Sequence, residues 1–84
     1  MTPATHIRKT VFGFSTQHEF AAAIGYSQAH ISRFEDGAPF SSEAQSRIRA
    51  YAKKVGIAWD NNLFFEVPAI AAQSLPEASS PRAA

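Results

Sequence analysis

Eighty-four residues with no cysteine and a formal charge of +1 leave room for one small domain, which buries only about 60% of the surface that its unfolded chain exposes. Neither disulfides nor thiolate metal sites can brace it, so a helical core, with or without dimerisation, must suffice. No apolar run approaches the roughly 20 residues that span a bilayer, and the opening MTPATHIRKT lacks the apolar stretch of a secretion signal, so the expected compartment is cytoplasmic.

Thr2-Pro3 fits an N-cap followed by proline at the first helical position. A short first helix is predicted from about Pro3 to Phe12, burying Ile7, Val11 and, beyond it, Phe14, with Gly13 as its stop. Thr16 with Glu19 three residues later forms a capping-box pair that starts a second helix. Phe20, Ala21 and Ile24 share one face of it, and Gly25 follows the last apolar position, where a left-handed residue ends a helix without a Cβ clash. Ser27 is the predicted N-cap of a third helix, with Ile31 and Phe34 on its inner face and Gly37 at its end. Two short helices joined by three or four residues with a glycine at the corner make a helix-turn-helix.

Ala38-Pro39-Phe40 reads as a loop, its proline sending the chain onward extended, with Phe40 packed under the motif. Ser42 is the predicted cap of a fourth helix from about Glu43 to Val55, with Gln45 at the capping-box position and Glu43 in the first turn, where the helix dipole favours an acid. Ile48, Ala52 and Val55 form its inner stripe with Tyr51 beside them, and Gly56 terminates it. Arg47 and Arg49 cannot share one face of this helix. In residues 57–70, IAWDNNLFFEVPAI, the cluster Asp60-Asn61-Asn62 marks a turn. Leu63 to Val67 is aromatic and β-branched enough for a strand or extended segment, while Asn61 can equally open a helical turn, and Pro68 stops either. Trp59, Leu63, Phe64 and Phe65 are then a lid on the core, a dimer interface, or both. The predicted organisation is a domain over residues 1–70 and, from Ala71 on, a disordered tail of Ala, Ser, Pro and Glu over residues 71–84. The fold class is all-α, a small bundle of four to five short helices around the helix-turn-helix.

Gln17, small Ala21 at the helix crossing, Gly25 in the turn, apolar Ile31 and Phe34, and the pattern Ser27-Gln28-x-x-Ile31-Ser32-Arg33-x-Glu35-x-Gly37 resemble the DNA-binding unit of the Cro/CI-type (XRE-like) phage and bacterial repressors. About ten positions agree in type and spacing over roughly Ile7 to Gly56. The resemblance implies a transcriptional regulator that binds double-stranded DNA. It also implies that Gln17 hydrogen-bonds a phosphate at a helix N-terminus, where free N–H groups suit an anion.

A helix of this length enters the major groove with only its outward side chains at base edges. By spacing these are Gln28, Ala29, Ser32 and Arg33, with Ser27 and His30 at the margin and Ser41, Ser42 and Arg47 as further backbone contacts. Gln pairs bidentately with adenine, Arg with guanine, and an alanine methyl meets that of thymine. From His6 to Lys54 seven basic residues stand against four acidic ones, a net +3, which holds one monomer to DNA only moderately. The expected form is therefore a homodimeric repressor on a palindromic operator. The alternative is an antitoxin-type protein-binding module that autoregulates through DNA, with the aromatic segment capping a protein partner. His6, His18 and His30 have no ligand at metal spacing, and no phosphate loop or nucleophile elbow is present. No metal, cofactor or catalysis is expected.

Overall fold

The computed structural model describes residues 1–68, so the tail predicted over residues 71–84 lies outside the described residues. Among the described residues the chain is all helical: α1 (Pro3–His6) running into a π-helical turn (Ile7–Val11), α2 (Gln17–Ile24), α3 (Gln28–Glu35), α4 (Ser42–Val55) and a 3₁₀ turn (Asn61–Phe64). None of these helices is long and apolar enough to cross a membrane.

The local signals act largely where the sequence puts them. Thr2 caps α1 with Pro3 in its first turn, and the reciprocal Thr16–Glu19 capping box starts α2. At the first helix the winding differs from expectation. Past His6 it widens, with the Phe12 N–H bonded five residues back to Ile7 O at 3.0 Å. Ile7 is fully buried, but Val11 and Phe14 are only half-buried.

At the corner between α2 and α3, Gly25 adopts φ 77°, and the next amide, Tyr26 N–H, closes back on Ala21 O at 2.8 Å. The left-handed backbone disfavours any side chain there, and a Cβ would stand 2.6 Å from the Arg47 guanidinium, which would have to move aside. Ala21, 3% exposed, lies in the core cluster on the buried side of α2.

Two expectations for the second half of the domain are corrected, and the choice left open after Asp60 falls to the helical turn. Ser41, not Ser42, is the N-cap of α4: its extended backbone lets Oγ accept from Ala44 N–H at 3.1 Å, and Gln45 instead donates to Phe40 O at 3.4 Å. The inner stripe of α4 is Ala44, Ile48 and Ala52, whereas Val55 is 45% exposed because the last turn projects past the core. Residues 63–67 form no strand. The Asp60 carboxylate accepts from Asn62 N–H at 2.9 Å and caps a helical turn over Asn61–Phe64, and a lone strand would have no neighbour to pair with.

That turn delivers the aromatic lid. The Trp59 ring stacks on Phe12 at 5.8 Å and meets Phe64 at 5.1 Å; Phe64 meets Phe40 at 5.2 Å, and Phe40 meets Phe34 at 4.8 Å. The rings thereby tie the segment after α4 to Phe12, at the end of the π-helical turn, and to α3 through offset and edge contacts, each worth about 0.5–1.5 kcal/mol beyond area burial. Of the four residues read as lid or interface, Phe64 is buried in this chain's own core, Trp59 and Leu63 are half-buried against it, and Phe65 alone is exposed, at 71%. Phe64→Ala should therefore lower stability by about 3–5 kcal/mol, a cavity-forming loss, measured by thermal or urea unfolding. An unchanged melting temperature would remove Phe64 from the core.

Candidate nucleic-acid interface

α3 is eight residues long, about 12 Å. The Ser27 hydroxyl accepts from His30 N–H at 3.4 Å and meets His30 Nδ1 at 2.7 Å, so cap and first turn are locked together. Ile31 and Phe34 are buried, which turns the opposite face outward. On that face Ala29, His30 and Arg33 are exposed and Gln28 and Ser32 half-buried. Arg33 makes no side-chain hydrogen bond or ion pair among the described residues.

Beneath this face lies a polar relay. Arg8 is 6% exposed and grips Glu35 with two nitrogens, Nε to Oε2 at 2.6 Å and Nη2 to Oε1 at 3.3 Å. Its remaining nitrogen donates to Ser15 O at 2.9 Å and Phe14 O at 3.3 Å, in the connection to α2. Gln17, first residue of α2, donates from Nε2 to Glu35 Oε1 at 3.1 Å, and its own Oε1 accepts from Gln28 Nε2. The Thr2 hydroxyl bonds Glu35 O at 2.9 Å. Burial by itself would raise the Glu35 carboxyl, but the hydrogen bonds from Arg8 and Gln17 and the charge of Arg8 together hold it below its ordinary value.

Arg8 and Glu35 underlie the candidate surface without having been expected there, although a signal existed. Ala4, Ile7 and Arg8 sit at i, i+3 and i+4 on one helix, as Ile31, Phe34 and Glu35 do on another. Opposite charges thus occupy the last place of two buried stripes.

The other predicted contacts divide. Gln17 stands at the head of α2 within reach of α3, joined to the base-reading candidate Gln28. Arg47, expected at the DNA backbone, is committed to the fold. Its Nη1 caps the end of α2 through Ile24 O and Gly25 O at 3.1 and 3.3 Å. Its Nε and Nη2 hold Glu43, and it lies 5.3 Å from the Tyr26 ring centroid. Ser41 is occupied as the cap of α4, with Oγ also 3.4 Å from Tyr26 Oη, and Ser42 is exposed in the first turn. No three side chains of the metal-ligating types converge among the described residues.

Comparison with protein families, with curated proteins and with solved structures finds no match to this chain.

Two outcomes check the relay. Arg8→Met should cost about 3–5 kcal/mol, because it leaves the Glu35 charge buried and unpaired, whereas Arg8→Met/Glu35→Met should recover most of the loss. Equal losses in the single and double variants would contradict the pairing. For pH, the Glu35 value in the folded chain lies below the ordinary 4.5, so the unfolded chain binds the proton more readily. The stabilisation is complete above about pH 5 and is lost as pH falls through the folded value. His6, lowered by burial from 6.5, acts in the same direction at higher pH, since the unfolded chain takes up its proton first. Melting temperature should fall from pH 7 to pH 3.5, with the portion below pH 5 flatter in Glu35→Gln; an equally steep fall in both proteins would remove Glu35 from that portion.

Proposed function

We propose that this chain is a sequence-specific double-stranded DNA-binding transcriptional regulator of the Cro/CI-type repressor kind, reading the major groove with α3. The observation that carries the reading is the outward face of α3. Ala29, His30 and Arg33 are exposed there, Gln28 and Ser32 lie at its edge, and no acidic residue interrupts it before the helix end. Gln17 heads the neighbouring helix and is hydrogen-bonded to Gln28, so a phosphate contact and a base contact would be made from one connected surface. A helix presenting the Gln28 amide and the free Arg33 guanidinium beside small Ala29 and Ser32 offers the groups that base edges accept.

A single such helix on a domain of modest charge holds DNA weakly. The proposal therefore includes a two-fold homodimer on a palindromic operator, with recognition helices about 34 Å apart, one turn of DNA. A second reading is favoured by one observation. Phe65, 71% exposed, borders an apolar groove lined by Pro3, Ala4, Phe34, Pro39 and Phe40, a surface of the kind that protein partners cover. In that antitoxin-like reading DNA binding persists and a protein partner sits on the groove.

Selection of bound sites from random-sequence duplexes tests the proposal, with two half-sites about one turn apart as the expected result. Recovery of no enriched sequence would overturn it. On the selected site Arg33→Ala should weaken binding by about 1–3 kcal/mol while changing affinity for random DNA far less. Equal loss on both would make Arg33 a phosphate contact, and no loss on either would remove it from the interface.

A further inference from the structure

Gln28, assigned above to base edges, stands on a hydrogen-bond relay that has a direction. A carboxylate accepts hydrogen bonds and donates none. The two-nitrogen grip of Arg8 prevents Glu35 from turning away, so Gln17 must face it with Nε2, as it does at 3.1 Å. Gln17 Oε1 is thereby left on the far side, where it accepts from Gln28 Nε2. Gln28 keeps one Nε2 hydrogen and its Oε1 without a partner among the described residues, one donor and one acceptor side by side. That pair is what the N7 and N6 edge of adenine requires. Reversing the Gln28 amide alone would set its oxygen against Gln17 Oε1. Reversing both amides would set Gln17 Oε1 against the Glu35 carboxylate, again acceptor on acceptor.

We infer that Glu35 is a positioning residue for base specificity, fixing through Gln17 which way round Gln28 presents its donor and acceptor to DNA. This rests on the DNA-binding reading and adds to it a determinant that is itself out of reach of the base. A merely structural Glu35 would affect stability and all base preferences together. A positioning Glu35 acts on the single position that Gln28 reads.

The test is site selection from random-sequence DNA by wild-type protein, Glu35→Gln and Gln17→Met, with side-chain amide NMR on the free proteins. Gln at position 35 accepts and donates equally and releases the order. Gln17→Met cuts the relay while keeping the Arg8–Glu35 pair, so it serves even where Glu35→Gln does not fold. Wild type should prefer adenine at one position per half-site by about tenfold or more, falling to about threefold or less in either variant, with other positions unchanged. Free wild type should show one downfield, exchange-protected Gln28 Nε2 proton that is lost in Gln17→Met. An unaltered adenine preference in the folded variants, or an unaltered Gln28 amide in Gln17→Met, would overturn the inference. Failure of wild type to enrich any site would overturn the DNA-binding reading and this inference with it, even with the relay intact by NMR.

Discussion

The ion pair between Arg8 and Glu35 is the constraint on which the candidate surface depends. Its charges sit on side chains only 8% and 9% exposed, and such a pair is poor grounds for stability by itself, because desolvation offsets much of the attraction. Its contribution is register. One guanidinium reaches Glu35 on α3 and the carbonyls of Phe14 and Ser15 ahead of α2, while the π-helical turn after α1 carries the guanidinium itself. The first helical stretch, the connection to α2 and the end of α3 are thereby set to one another, and the same carboxylate holds Gln17, which in turn accepts from Gln28. An apolar core of the same volume would hold the helices together but would give no direction to the amides above it.

Much of the fold was legible because its signals are local. Thr16 and Glu19, Ser27, Gly25 and Gly56 each decide a helix boundary by their own backbone chemistry, and the apolar stripes of α2 and α3 need only counting. Legibility failed where two residues competed or where tertiary contact decided. Ser41 and Ser42 have the same capping chemistry, and packing of Ala44 and Ile48 selects between their registers. The π-helical turn over Ile7–Val11, where Ile7 and Arg8 are both buried, has no counterpart in the spacing of apolar residues. Leu63 to Phe65 have strand-like composition, yet a hydrogen bond from Asn62 N–H to the Asp60 carboxylate caps a helical turn instead.

The outward residues of α3 followed from the buried ones, because an eight-residue helix with Ile31 and Phe34 inside has few ways to face. What composition and spacing could not supply was the state of each polar group. Arg47 looks in sequence as free as Arg33, but it is drawn to the open carbonyls at the end of α2 and to Glu43. Trp59, Leu63, Phe64 and Phe65 looked equivalent as lid or interface. Ring geometry separates them, taking Phe64 into the core, setting Trp59 half-buried against it and leaving Phe65 outside.

A domain this small leaves two kinds of surface open: a polar face on α3 above a buried carboxylate, and an apolar edge at Phe65. Backbone-amide NMR during titration with a duplex carrying the selected site tests the first most directly. The account predicts shifts concentrated at Gln17 and at residues 27–33, larger than any near Pro39 or Phe65. Shifts confined to the groove around Phe65, or no shift at saturating duplex, would contradict it.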